Sequence, residues 1–408
     1  MNKIFGLLQK PEAHRSLYIL LLVATPFLLL QNYMQSTIGM LSELSFTLFD
    51  WNIPYVVAIA VVLVISLLLA FRRKITPRKL LGWVIVLFLF WVGQQSTDYY
   101  FNHKFYELQY NWHYFAYGIF AALNYRVLNT KHFPPQKIIL HTFFYALAIS
   151  AFDELVQIPL SNRIFDVGDI AKDLWGTMIG LFILYFIIED GAIFRNNNPV
   201  RQPTLRAYAN HPKTVFVLGF ALAYIFMVVA SLLTDSDHLI EAVTIPVVLF
   251  GLLVWIWHQS QKKMWRTVFV LLALLLTGTQ VYLFFTHRES NISYDSNRLV
   301  VYKGIPLPYF DLMIYPNGWF RAVDKKSTFS ARDIQTIKTL VRDILIIGTG
   351  ENLKTGIGFP RDDMSQFIYN QRTDRGLQVI IMNNRQACQK FNQLKDEGKQ
   401  PLLILHHD

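Results

Sequence analysis

The sequence predicts a polytopic α-helical membrane protein, with about nine transmembrane helices, that ends in a soluble α/β domain. Three observations carry that reading. Hydrophobic residues make up 53% of the 408 residues, charged residues only 16%, and the mean hydropathy is +0.30; a soluble globular chain carries about a quarter charged residues. Apolar runs of spanning length recur up to residue 286. Beyond about Arg288 charges become frequent and the apolar runs shorten to strand length. The same composition excludes disorder. The single cysteine, Cys388, excludes an internal disulfide framework and a multi-cysteine metal centre.

A helix needs roughly 20 mostly apolar residues to cross the hydrocarbon core. The runs place spans near 16–34, 54–71, 80–97, 113–129, 138–156, 170–188, 214–233, 242–258 and 266–286. No charged residue falls between Arg15 and Glu43, nor between Asp50 and Arg72. The first run is longer than a secretory h-region and lacks a small-x-small cleavage site, so it reads as retained. Four blocks result: an N-terminal transmembrane pair (1–79), a helical membrane domain (80–190), three further transmembrane helices with cytoplasmic loops (191–286), and the soluble domain (287–408).

The net charge of +10 is unevenly spread. Lysine and arginine crowd the N-terminus and the loops 72–80, 126–137, 189–213 and 259–266, most densely at Arg72, Arg73, Lys74, Arg78 and Lys79. The alternate set of loops and helix ends carries Lys104, Arg163 and Lys172 against many acids. The positive-inside rule then puts the N-terminus in the cytoplasm and, with nine spans, the C-terminal domain outside. The basic excess faces the anionic leaflet, so it requires no nucleic acid.

Polar groups gather at the outer ends of three expected spans. Asp153, Glu154 and Gln157 end the fifth; Arg163, Asp166, Asp169 and Asp173 lead into the sixth; His113 opens the fourth, with Tyr117 one turn deeper. Offsets of three and four put Asp153 and Glu154 on the face of Gln157. Asp169, Asp173, Gly176 and Gly180 form one stripe, and the two glycines make a small-xxx-small pair that admits a close neighbour helix. The carboxylates therefore belong to a packed face. Acids at membrane depth are costly and are usually paired or functional, and Arg163 is the cation nearest in sequence. Solvated helix ends are the plainer reading, and Asp169 also suits a helix N-terminus. Nothing fixes a ligand spacing for a metal at His113 and the acids, so no metal is assigned, and no cofactor is named.

This string resembles the VanZ-like membrane family over about 80–190. It rests on His113 with Tyr117, Asp153-Glu154-x-x-Gln157, Arg163, Asp169 and Gly176/Gly180. The family often has Asp-Lys shortly before the histidine, where this chain has Asn111 and Trp112, and Asn where this chain has Asp173. The resemblance implies cell-envelope biology and a link to teicoplanin resistance, with no settled biochemical activity. Between the third and fourth spans lies an aromatic stretch, Tyr99, Tyr100, Phe101, Phe105, Tyr106, Tyr110, Trp112 and Tyr114. It reads as an interfacial belt, or as a platform for a lipid-linked sugar.

In the tail, Leu299–Tyr302, Leu312–Tyr315, Trp319–Val323, Ile344–Ile347, Gln378–Met382 and Leu402–Leu405 are strand-like. Asn317-Gly318 signals a hairpin turn. Helices are expected over Ser330–Arg342, Asp362–Asn370 and Arg385–Glu397. Gly348-Thr349-Gly350 lacks both the Lys-Ser/Thr of a P-loop and the spacing of a dinucleotide fingerprint, so a tight turn is expected. Cys388 reads as a packing residue. The tail resembles the MTH-type small α/β family through Ile346-Ile347-Gly348-Thr349-Gly350, Ala387-Cys388, Phe391-Asn392, Glu397-Gly398-Lys399 and Leu405-His406. That family includes a mitochondrial complex I assembly factor and has no established catalysis.

The expected function is binding or modification of a lipid-linked or glycopeptide-type ligand by His113, Tyr117, Asp153, Glu154, Gln157, Arg163, Asp166, Asp169 and Asp173. For chemistry, Glu154 or Asp169 is the candidate acid/base group, with Arg163 neutralising an anionic ligand. The alternatives are a membrane-embedded enzyme acting on a lipid, and a scaffold whose tail recruits a protein partner.

Overall fold

A computed structural model describes residues 10–28, 44–48, 51–59, 61–62, 76–97, 108–159, 165–195, 204–233, 239–286, 291–294, 300–307, 312–318, 320–322, 344–350, 367–370 and 375–406. The chain divides into two compact units.

The first unit is built from α1 (Pro11–Leu28), α2 (Pro77–Thr97), α3 (Leu108–Thr130), α4 (Pro135–Gln157), α5 (Val167–Phe182) and α6 (Pro212–Leu232), with part of α7 (Leu239–Ser260). A short antiparallel hairpin, β1 (Ser45–Leu48) with β2 (Trp51–Pro54), belongs to it as well. Local chemistry sets the helix ends. Proline at the first turn of α4 has its φ already fixed and lacks only an N–H that would go unpaired there. The Asp166 carboxylate accepts from the Gly168 N–H at 2.7 Å and caps α5. After Phe182, α5 widens into a π-helical turn, Ile183–Ile188.

Five helical segments among the described residues are long and apolar enough to cross a membrane: Pro77–Ser96, Pro135–Gln157, Val167–Ile188, Pro212–Ser231 and Leu239–Ser260. Nine spans are therefore not upheld. Three of the other expected spans do fall on helices, namely α1, α3 and α8 (Lys263–Thr286). Polar residues interrupt α3 at Gln109, Asn111, His113, Asn124, Arg126 and Asn129. The expected span 16–34 runs past the described residues after Leu28, and α8 carries no charged residue from Thr267 to Thr286. The expected span 54–71 lies mostly outside the described residues.

α5 is the centre of this unit. It is buried from Ile170 to Phe182 and packs chiefly on α3, with α4 and α2 beside it. The expected small-residue seam is present. A Cβ on Gly176 would lie 2.7 Å from Tyr114 Cα, and one on Gly180 would lie 2.7 Å from the Gly118 carbonyl oxygen. Polar ties hold α2 in place: Trp175 Nε1 donates to the Leu89 carbonyl at 3.0 Å, and buried Gln94 Nε2 donates to Asn111 Oδ1 at 2.9 Å.

The second unit holds α8, two sheets and α9 (Asn384–Asp396). β3 (Ile292–Tyr294), β4 (Val300–Tyr302) and β5 (Ile305–Leu307) form an antiparallel sheet. The larger sheet runs in the order β7 (Phe320–Ala322), β6 (Leu312–Ile314), β11 (Leu402–His406), β8 (Ile344–Thr349), β10 (Arg375–Met382), β9 (Phe367–Asn370). β8 pairs in parallel with both β11 and β10, and the other pairings are antiparallel. All of β8 and β11 is buried, as befits central strands. Gly318, with φ +91°, makes the expected turn between β6 and β7. One expectation fails. The C-terminal half of the helix expected over Asp362–Asn370 is strand β9, because Phe-Ile-Tyr-Asn gains a ladder along β10 that outweighs its local preference. The helix expected over Ser330–Arg342 lies outside the described residues.

Candidate functional site

The seam between α3 and α5 brings the predicted residues together. Because Gly176 has no side chain, the α3 backbone approaches α5 at Tyr114, which leaves His113 beside the first turns of α5. His113 Nδ1 lies 2.9 Å from Asp173 Oδ1, and its Nε2 lies 3.7 Å from Asp169 Oδ1. The first is a hydrogen bond; the second is an ion-pair distance. Asp173 is 4% exposed and receives a second bond, from the Ser150 hydroxyl of α4 at 2.6 Å. Three helices thus converge on one carboxylate. Lys172 Nζ reaches Asp169 Oδ1 at 3.2 Å.

A second group fixes the turn between α4 and α5. Glu154, 6% exposed, accepts from the Asp166 backbone N–H at 2.9 Å. Gln157 Nε2 lies 3.2 Å from Asp153 Oδ2 and 3.5 Å from Glu154 Oε1. Asp166 in turn caps α5. Glu154 therefore ties the entry of α5 to the end of α4, whereas Asp169 and His113, with side chains 24% and 26% exposed, face outward. Tyr117 is buried one turn below His113, close to Ser150 and Asp173, and its hydroxyl meets hydrogen-bond geometry with neither.

Among the predicted residues, His113, Asp169 and Asp173 are in mutual reach; Asp153, Glu154, Gln157 and Asp166 form the adjoining tether. Arg163 lies outside the described residues. Among those described, Lys172 and His113 are the cationic partners of the acids, the role that sequence reasoning gave to Arg163. Two participants were missed. Ser150 continues the Glu154–Gln157 stripe one turn deeper, and Lys172 stands three residues after Asp169, so helical spacing was a usable signal for both.

The order of the trio decides what it can do. A nucleophilic serine needs the imidazole between it and the carboxylate. Here the carboxylate stands between Ser150 and His113, so the trio is not a hydrolase triad. Asp173 instead anchors the Nδ1 edge of His113 and leaves Nε2 directed at the Asp169 side, an arrangement able to exchange a proton with a bound group. The acid at position 173 supplies His113 with a charged partner that an amide would not. Among the described residues no three His, Cys, Asp or Glu side chains are grouped to hold a metal.

The tail's glycine turn is built differently. The Gly350 N–H, which a phosphate-binding loop would offer to its ligand, donates to Asn384 Oδ1 at 3.1 Å. Asn384 Nδ2 donates to the His406 carbonyl at 2.6 Å. A Cβ on Gly348 would collide with Asn384 Oδ1. Cys388 is buried in the core of the tail, and burial pushes its thiol up to about 12, which leaves no thiolate for nucleophilic attack at neutral pH. Both features are structural.

Residues 292–406 match the model of a family described as a protein of unknown function (DUF498/DUF598). The match covers the tail that resembles the MTH-type domain and lends nothing to the VanZ-like resemblance of 80–190. No match was found among curated proteins or among solved structures.

Proposed function

We propose that the chain is a multi-pass membrane protein of the cell envelope that binds a lipid-linked or glycopeptide-type ligand at the His113–Asp169 face. One observation supports this most. The Asp173 carboxylate, held by two helices besides its own, locks an imidazole whose other edge meets a partly open acid. Such a face offers acceptors and a titratable ring to a ligand rich in hydroxyl and amide groups. The glycopeptide class comes from the VanZ-like resemblance. This reading keeps the orientation that the basic loops suggest, with the N-terminus cytoplasmic and the His113 end extracytoplasmic, and an odd number of spans, which puts the tail outside.

The test is growth of a teicoplanin-susceptible bacterium expressing the chain. The expected outcome is growth at a higher teicoplanin concentration than the empty-vector control, with the gain lost in Asp173→Asn and His113→Gln at equal membrane abundance. Equal growth of all strains, with the protein present in the membrane, removes the glycopeptide reading. The side of the tail is read by a single cysteine, Gln389→Cys in a Cys388→Ala background, labelled in intact cells with an impermeant maleimide. Labelling only after lysis removes the outside placement.

A second reading, a membrane scaffold acting through the tail, draws on one finding: the tail alone carries a family match. It predicts that deleting 290–408 abolishes the cellular effect as fully as Asp173→Asn does, and that a protein partner is lost with it.

A further inference from the structure

Along the α1 side of α4 lies a second group of features that the carboxylate cluster does not use. Between α1 and α4 runs an apolar groove of about 570 Å³, lined by Ile19, Leu20, Val23, Ile149 and Phe152. It shares Tyr145 and Ala148 with a second hollow of about 580 Å³, whose walls carry Arg15, Lys131 and His141. From His141 to Phe152 is eleven residues of α4, about 16 Å of helix. That is close to one leaflet, half of a hydrocarbon core about 30 Å thick.

Arg15 is the centre of the basic hollow. Its Nη1 donates to Asn124 Oδ1 at 3.0 Å, and Asn124 is itself held by Thr142, to which its Nδ2 donates at 2.9 Å. The guanidinium carbon lies 5.4 Å from the centre of the Tyr145 ring. Its Nε is buried and finds no acceptor among the described residues. A planar fork of five donors, one edge of it spoken for by an amide, suits a phosphate. Lys131 is paired with Glu12 at 3.3 Å, with both side chains close to half exposed, so this acid offsets part of the local charge. Arg15 and Lys131 against Glu12 leave the hollow net positive, with His141 beside it.

We infer that the joined hollows form a binding site for an anionic phospholipid, the phosphate resting on Arg15 and Lys131 and one acyl chain lying along Ile19, Val23 and Ile149. Basic pockets between helices at a membrane surface recognise anionic head groups in this way. The inference rests on the membrane reading of the helices but not on the ligand assigned to the His113 face.

The experiment uses the full chain in nanodiscs of equal phosphatidylglycerol and phosphatidylcholine, followed by detergent washing and mass spectrometry of the retained lipid. The wild-type chain is expected to retain phosphatidylglycerol preferentially. Arg15→Gln and Lys131→Gln are each expected to lower that retention by at least about fivefold, roughly the worth of one cation at a lipid surface. Leu20→Trp, at an exposed position, fills the apolar groove and is expected to lower it as well. Asp173→Asn, at the other site, is expected to leave it unchanged. Lys131 lies at the surface, so its variant keeps the question open to decision if Arg15→Gln does not accumulate. Equal retention of the two lipids, or full retention by Lys131→Gln and Leu20→Trp, overturns the inference. So does equal competition by soluble glycerol phosphate, which would make the apolar groove irrelevant. Failure of the membrane reading itself has a separate signature: release of the chain from membranes by alkaline carbonate without detergent.

Discussion

The carboxylate–histidine cluster and the glycine turn of the tail are both places where the sequence invites a ligand, and their wiring is opposite. At the turn, Asn384 accepts from Gly350 and donates to His406, so the donor a ligand would need is already used. At the cluster, Ser150 and His113 each hold one oxygen of Asp173, while His113 and the Lys172-paired Asp169 beside it are about a quarter exposed. The difference teaches that a motif's residue types matter less than where its hydrogen-bonding capacity goes. Buried polar groups find partners almost without exception, so the informative ones are those partnered on one side and open on the other.

The comparison can be broken most severely at the seam that creates it. Gly180→Leu would force side-chain atoms into the Gly118 backbone, which lies within 2.8 Å of an added Cβ. Overpacking costs about 1–3 kcal/mol even where side chains yield, and backbone yields less. The detergent-solubilised chain is expected to lose its monodisperse elution, and normal elution would show that the seam is slack.

Asn384→Ala tests the closed wiring. It takes the acceptor from the buried Gly350 N–H and one donor from the buried His406 carbonyl, about 2 kcal/mol, hence about 30-fold more frequent opening of the tail. Cys388 reports this. Its native thiol, pushed up to about 12 by burial, stays protonated from pH 7 to 9 and reacts with maleimide only through opening. An unfolded cysteine titrates near 8.5. Wild-type labelling should therefore stay far below that of the unfolded chain across this range, and Asn384→Ala should raise it about 30-fold. Rapid wild-type labelling at pH 7 would refute the buried-thiol assignment.

Ser150→Ala is expected to have a smaller effect. Asp173 keeps its bond from His113, so the loss is about 1.5 kcal/mol, the low end for one hydrogen bond to a charged group. It should appear as a modest fall in thermal midpoint in detergent. Smallest of all is Lys172→Gln: it removes an ion pair from the partly open Asp169 but also relieves a buried ammonium of its desolvation cost, so the net loss should be about 1 kcal/mol or less. A larger loss from Lys172→Gln than from Ser150→Ala would mean that Asp169, not Asp173, holds the cluster together.

Much of this was legible in the chain. The stripe Asp169–Asp173–Gly176–Gly180 predicted a close partner helix, and α3 is there. The spacing of Asp153, Glu154 and Gln157 predicted their contact. In the tail, strands β4, β6, β8, β10 and β11 and helix α9 fall where the sequence pattern placed them. What was not legible has physical causes. Ser150 carries no charge, so its place one turn deeper on the Glu154–Gln157 stripe did not name its partner until Asp173 was seen across from it. Strand β9 owes its state to β10, a neighbour that local sequence does not contain. The count of spans went astray most plainly at α3, whose length carries Asn111, His113, Asn124, Arg126 and Asn129, while the expected spans 16–34 and 54–71 run over residues outside the described ones.

By itself the sequence determines which segments are helical and apolar, which loops are basic, and that the tail is an α/β domain, because periodicity and composition are local properties. Only the tertiary structure decides that His113 meets Asp173, that Glu154 ties a turn while Asp169 faces outward, and that Asn384 closes the glycine turn. Those roles depend on which partner each polar group reaches. Partners distant along the chain are brought together by packing, here by the missing side chains of Gly176 and Gly180 as much as by any group that is present.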